Sequence, residues 1–174
     1  ARKTLAEATC DTGLAGLVNN AGISVAGPLE LLPLSEVRTQ FEVNVIGVLA
    51  VTQALLPLLR LARGRIVNIS SIAGLAATPF LGAYCSSKFA LEAMSDALRL
   101  ELAPWGISVS LVEPGANQSQ IWQRATMSAT RTLGGVEPEA LALYAQPLSR
   151  MQEVRAAAAA RAIPRIADHG QQVG

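Results

Sequence analysis

Two hydrophobic periods alternate along this chain. Short apolar runs at Leu14–Asn19, Arg65–Ser70 and Ile107–Glu113 are each bounded by Gly, Asn or Pro, and they read as β-strands. Between the first two, Val37, Phe41, Val45, Val48, Leu49, Thr52, Leu55, Leu56 and Leu59 recur at steps of three and four. That spacing predicts a helix capped by Ser35 and kinked near its end by Pro57. Between the second and third runs, Phe89, Ala90, Ala93, Met94, Ala97 and Leu98 repeat the pattern over Ser86–Ala103, and Pro104 stops it. Parallel neighbours cannot be joined by a tight turn, so strand, helix, strand, helix, strand at this spacing implies a parallel sheet with right-handed crossovers. The predicted class is α/β, a doubly wound open sheet.

Composition narrows the picture. Hydrophobic residues make up 51% and charged residues 16%, on the apolar side of a soluble mix of about 45–50% and about 25%. Such a chain buries one sizeable core, and residues 1–174 are read as a single domain. With 14 Lys plus Arg against 13 Asp plus Glu, a basic surface for nucleic acid is excluded as the main function. Arg150, Arg155, Arg161 and Arg165 read as a solvated helix face rather than a partner surface. The apolar stretch Val45–Leu59 contains Thr52, Gln53 and Pro57 and is shorter than the about 20 residues that cross a bilayer, so it reads as a core helix with no transmembrane segment. Arg2 and Lys3 are followed by no apolar run, which argues against a signal peptide. Cys10 and Cys85 lie far apart and form no C-x-x-C. No metal site or disulfide framework is expected, and the expected location is the cytoplasm.

Ligands of open parallel sheets sit at the carboxyl ends of the strands. Here those ends carry Asn19-Asn20-Ala21-Gly22, Ser70-Ser71 and Glu113-Pro114-Gly115. Residues 116–136 hold scattered Asn, Gln, Ser, Thr and Gly, which suggests a substrate loop over the site. Glu137-Pro138-Glu139 reads as the start of a C-terminal helical segment over 137–174. Tyr84 and Lys88 are four residues apart, so one helix face can carry both. Each candidate also has a plainer role: Asn44 can satisfy a buried backbone group, Ser71 and Asn68 can end a strand, and Asn20, Gly22 and Pro114 can shape turns.

The combination of motifs is more informative than any one of them. Asn19-Asn20-Ala21-Gly22, Asn44-Val45-Ile46-Gly47, Asn68-Ile69-Ser70-Ser71, Tyr84-Cys85-Ser86-Ser87-Lys88 and Pro114-Gly115 occur in order, with spacings of 27, 13 and 4 between Asn44, Ser71, Tyr84 and Lys88. In these features the chain resembles the short-chain dehydrogenase/reductases, closely over about Leu14–Ser119. Pro79-Phe80 and Tyr84 to Glu92 look most like the hydroxysteroid and retinol dehydrogenase branch. The resemblance implies a Rossmann-like sheet and a catalytic tetrad of Asn44, Ser71, Tyr84 and Lys88. It also implies a nicotinamide cofactor, NAD or NADP, held by Asn20, Ala21, Gly22, Tyr84, Lys88, Pro114, Gly115 and Ser119. The implied substrate is a small alcohol or ketone, and the implied partner is a second copy of the chain, paired through helices 35–61 and 86–103. By the same resemblance, Lys88 also grips the nicotinamide ribose and Asn44 holds a water that connects Lys88 to solvent.

Hydride transfer at an alcohol carbon requires a proton to leave or reach the oxygen. A tyrosine is a poor base at neutral pH because its pKa is near 10. The Lys88 ammonium and an oxidised nicotinamide are expected to lower it, while Ser71 holds the substrate oxygen. The Gly-rich strand-to-helix turn that receives the pyrophosphate in this family is not found in these 174 residues. By resemblance the sheet is therefore expected to lack its first strands and possibly its last. The alternative expectation is a truncated, inactive product or pseudoenzyme that acts at most through oligomerisation.

Overall fold

The structure, a computed structural model, describes residues 12–115, 129–130 and 133–160, together with Glu7 and Thr9. Strands β1 (Gly16–Asn19), β2 (Arg65–Ile69) and β3 (Ser108–Val112) form one parallel sheet in the order β1-β2-β3, with Leu17 opposite Ile66 and Ile66 opposite Val109. Each lies within its predicted run, shortened by one or two residues at the ends. Between β1 and β2 runs helix α1 (Leu34–Phe41), a π-helical turn (Glu42–Ile46) and helix α2 (Gly47–Ala62). Between β2 and β3 run a 3₁₀ turn (Ile72–Gly74), helix α3 (Gly82–Leu102) and a second 3₁₀ turn (Ala103–Trp105). Helices α4 (Pro138–Ala142) and α5 (Ala145–Ala160) follow β3.

One predicted detail is corrected and one predicted helix start moves. Ser35 does not cap α1: Pro33 stands at the N-cap and Ser35 lies inside the first turn, where its carbonyl accepts from Thr39 Oγ1 at 2.9 Å. A proline there is preset to the required φ and gives up no hydrogen bond. Pro57 lies within α2, which continues to Ala62, and its ring is on the exposed side. Helix α3 also starts four residues earlier than predicted, so Tyr84 sits within its first turn. Arg161 and Arg165 lie outside the described residues.

The core forms where α2 and α3 lie against the sheet. Leu55 and Leu59 of α2, Leu98 and Leu102 of α3, Ile66 of β2, Val109 of β3 and Ile107 just before it make one apolar cluster. Successive strand residues point to opposite faces, so Asn19 and Asn68, paired across β1 and β2, face the same helices as Leu17 and Ile66. These amides are not left unbonded. Asn19 Nδ2 donates to Asn68 Oδ1 at 2.8 Å and to Thr52 Oγ1 at 3.1 Å, while Asn68 Nδ2 donates to Ser95 Oγ at 2.8 Å. The hydroxyls of Thr52 and Ser95 donate to Val48 and Leu91 carbonyls one turn back. Misplacing either helix would leave buried amides unpaired, at a cost of about 1–3 kcal/mol each. This polar ladder holds α2 and α3 over the ends of β1 and β2 and so fixes where Asn44, Tyr84 and Lys88 stand.

Candidate active site

At the carboxyl end of β2 the chain leaves the sheet through Ser70 and Ser71. Ser71 is extended, and its Oγ accepts from Ala73 N–H at 3.1 Å, capping the 3₁₀ turn that carries the chain toward α3. In the first turn of α3, Tyr84 is buried at 4% exposure, and its side chain shares a hydrogen bond with Ser71. One turn on, Lys88 is equally buried. Its Nζ donates to the Ile69 carbonyl at 2.8 Å and lies 5.8 Å from the centre of the Tyr84 ring. The hydroxyl, the phenol and the ammonium, which belong to different parts of the sequence, therefore share one site.

Asn44 is placed by the π-helical turn. The Gly47 N–H reaches back five residues to the Glu42 carbonyl, and the added residue swings Asn44 out of the regular ladder, as such turns commonly do at functional sites. Its Oδ1 accepts from Ile23 N–H at 2.9 Å, and its Nδ2 donates to the Ile23 carbonyl at 3.0 Å and to Ser87 Oγ at 3.1 Å. The structural role considered for Asn44 is thus real: it satisfies the loop that follows β1. That loop is drawn close to the ammonium. A Cβ added at Gly22 would lie 3.5 Å from Asn44 Oδ1 and 3.9 Å from Lys88 Nζ.

Gln40, one turn before Asn44, was not among the predicted site residues. It is fully buried, accepts from Val25 N–H at 2.7 Å and donates to the Ile23 carbonyl at 2.8 Å. Gln40 and Asn44 together clamp the 23–25 loop. Asn20 and Ala21 are exposed on the same loop. The Pro114 carbonyl accepts from Ile72 N–H at 3.3 Å, which brings the Pro114-Gly115 turn beside Ser71. Ser119 lies outside the described residues. Of the predicted substrate loop, Ala129 packs against the cluster of Ala26, Ala73, Leu81, Tyr84 and Cys85. Among the described residues no cluster of His, Cys, Asp or Glu could hold a metal ion.

The electrostatics differ from expectation. Burial raises the Tyr84 pKa above its ordinary value of 10; the Ser71 hydrogen bond works against that rise, and nearby Cys85 adds to it. Lys88 and an oxidised nicotinamide together were expected to lower the phenol; in the protein by itself, removing the phenolate from water outweighs its neighbours. Burial also lowers Lys88 from 10.5 to about 8, opposed by the negative charge of Glu92. The ammonium therefore remains mostly charged at neutral pH.

The residues fit the nicotinamide end of a dinucleotide. An ammonium has three donors, of which Lys88 directs one to Ile69, and the adjoining backbone at Gly22 carries no side chain that would block an approach.

The comparisons agree with this geometry. The family described as short chain dehydrogenase matches residues 2–129. The 3-amino-tetrahydro-pyrrolizinone reductase of Xenorhabdus hominickii is 46% identical over 134 residues, which make up 77% of this chain and 47% of that protein. The alcohol dehydrogenase of the archaeon Thermococcus sibiricus, solved with 5-hydroxy-NADP, superposes with a TM-score of 0.66 at 25% identity, covering 71% of this chain and 51% of that one. An NAD+-bound xylitol dehydrogenase gives 0.64 at 27% identity, covering 78% and 60%. The chain thus spans about a third to a half of the length of the curated relatives it matches and about half of the solved structures. With its parallel Rossmann-like sheet and its ordered motifs, this chain belongs to the short-chain dehydrogenase/reductase family.

Proposed function

We propose that the protein is an NAD- or NADP-dependent oxidoreductase that interconverts a secondary alcohol and a ketone, with Tyr84 as the general acid/base. The observation that carries this reading is the convergence of Ser71, Tyr84 and Lys88 on one buried site. Two solved relatives with nicotinamide cofactors in their sites support the cofactor class. When bound, the nicotinamide supplies the hydride acceptor or donor. The chain's own residues manage the oxygen and its proton. Ser71, tied to Tyr84, directs the substrate oxygen toward the phenol. Tyr84 takes the proton from the alcohol during oxidation and returns it during reduction. Lys88 places a positive charge beside the ring, favouring the phenolate at the moment it forms. Asn44 holds the Ile23 backbone and so keeps the adjoining Gly22 close to Lys88. Residues 20–22 and the Pro114-Gly115 turn flank the site on the sides where the cofactor is assigned.

Turnover of the purified protein with a panel of secondary alcohols and either cofactor tests the reading. Tyr84→Phe removes only the ionisable oxygen. Turnover is expected to fall about 10²–10⁴-fold, with cofactor affinity, measured by fluorescence titration, nearly unchanged. Undiminished turnover in the variant would remove the assignment.

We also propose that copies of the chain pair through α2 and α3. Ile46, Val51 and Leu61 are exposed on the long apolar helix Leu34–Ala62. A groove of about 460 Å³ runs between Leu49, Gln53 and Leu56 on one side and Leu98, Glu101 and Trp105 on the other.

A further inference from the structure

Phe80, four residues before Tyr84, has a φ of +64°. For a bulky side chain this left-handed conformation is a steric outlier, and it persists only where the surroundings hold it. Two contacts hold it here. The Phe80 carbonyl accepts from the buried Gly27 N–H at 2.8 Å, which ties the segment before α3 to the loop after β1. The Phe80 ring meets the Tyr144 ring edge to face, with centroids 6.2 Å apart and planes at 83°, a favoured geometry for an aromatic pair. Tyr144 stands between α4 and α5, where its N–H donates to the Leu141 carbonyl and its carbonyl accepts from the Leu148 N–H. Its hydroxyl donates to Glu30 Oε2, on the same loop as Gly27.

Three separate stretches of chain are thus joined at Phe80, and each borders Tyr84. Leu81, next to Phe80, packs with Tyr84 and Cys85; Ala26, next to Gly27, belongs to the same cluster; and Ala129 lies against it. Leu133 Cδ2 is 3.8 Å from the point where a Cβ on Gly27 would stand, so the chain returning from β3 meets that loop again before Tyr144. The strain gives this arrangement two positions. When Tyr144 withdraws, Phe80 loses a contact that opposes its relaxation, and a return of φ to negative values turns its carbonyl away from Gly27.

We propose that Glu30, Phe80 and Tyr144 form a strained clasp that holds residues 133–144 closed against the loops flanking Tyr84, and that its release frees those residues and the Gly27 loop together. As an opening of the active site this rests on the reading of Tyr84 as the reacting phenol; as a two-position element it does not.

Hydrogen exchange of the full chain without substrate tests the coupling, read by mass spectrometry over residues 138–148 and by NMR at the Gly27 N–H. Tyr144→Ala removes both the ring and the hydroxyl. Exchange is expected to rise about 3–10-fold at both places, the effect of losing one aromatic pair. The Ser70 N–H, bonded to the Val112 carbonyl at 2.7 Å, is expected to keep its rate, which separates release of the clasp from a general loosening of the fold. Tyr144→Phe keeps the ring and loses only the bond to Glu30, so a smaller rise at the same two places is expected. Should Tyr144→Ala not fold, Glu30→Ala, a change at an exposed loop position, takes its place with the same smaller rise. An unchanged Gly27 rate in folded Tyr144→Ala, or in Glu30→Ala where that replaces it, overturns the proposal even if residues 138–148 exchange faster. The Tyr84→Phe turnover bears on the dehydrogenase reading alone, so either conclusion can fail while the other stands.

Discussion

Gln40 shows how much of the site depends on residues that perform no chemistry. Its amide satisfies the Val25 N–H and the Ile23 carbonyl, and leucine would occupy a similar volume with no polar atoms. Gln40→Leu leaves the buried Val25 N–H unpaired, at a cost of about 1–3 kcal/mol, while the Ile23 carbonyl keeps its bond from Asn44 Nδ2. A loss of about 1–3 kcal/mol in urea unfolding is expected, and a loss below about 0.5 kcal/mol would mean the loop finds other partners. Lys88 adds a pH signature. Its folded pKa of about 8 lies below the ordinary 10.5, so between these values the unfolded chain holds a proton that the folded chain has released. The stabilising contribution is full above 10.5 and is lost as pH falls through about 8, so stability rises with pH across that window, by at most about 1.4 kcal/mol per pH unit. Tyr84 has the opposite sign: its pKa is raised, so its contribution is present below 10 and is lost as pH rises through the folded value. Melting curves from pH 7.5 to 9.5 are expected to show the rise in the parent chain and not in Lys88→Met. Asn44, Ser71, Tyr84 and Lys88 were picked out through the resemblance, by the order and spacing of their motifs, and the structure brings Ser71, Tyr84 and Lys88 together. Gln40 was not, because a glutamine on a helix looks like any solvated residue until its burial is known. The rise of the Tyr84 pKa in the protein by itself had no sequence signal for the same reason, since desolvation depends on burial.

The elements were legible where hydrophobic periodicity is strong. The three strands and two long helices follow from it because apolar residues at matched spacing must find a common core. The π-helical turn at Glu42–Ile46 does not follow, since the apolar period continues through it. Ser35 was misassigned because a cap depends on backbone angles that Pro33 sets. Where α2 meets β2, the helix ends at Arg63 in a left-handed conformation and Gly64 follows, its N–H donating to the Leu59 carbonyl at 2.9 Å. A Cβ on Gly64 would come within 2.4 Å of the Leu14 carbonyl oxygen and 3.0 Å of that of Ala15. These are backbone atoms on the approach to β1, so the clash cannot be relieved by a side-chain rotation. Gly64→Ala is expected to push β1 away from the α2–β2 junction and to cost about 1–3 kcal/mol, the range typical of overpacking. Thermal denaturation checks the magnitude. Hydrogen exchange checks the location, with faster exchange expected in the β1–β2 ladder than in β2–β3.

At the largest scale, burial among the described residues is one-sided. The α2–α3 layer covers the sheet through Leu55, Leu59, Leu98 and Leu102, while Val18 on β1 is 62% exposed and Val112 on β3 is 44% exposed. An apolar excess was legible in the composition; which surfaces would carry it was not, because composition has no direction. On the helical side the excess gathers along α2 and the groove it shares with α3, a surface formed by residues distant in sequence. If copies of the chain pair there, a charge in the groove acts on association, because Leu49 lines the groove, whose lining includes none of Asn44, Ser71, Tyr84 and Lys88. Leu49→Glu keeps a good helix former at that position but requires a carboxylate to be desolvated when two copies meet. Sedimentation velocity is expected to show a dimer or larger assembly for the parent and a monomer for Leu49→Glu, with equal helix content by circular dichroism. An unchanged sedimentation coefficient in a folded variant would place the contact elsewhere, and the open sheet face at Val18 would then be the next surface to charge.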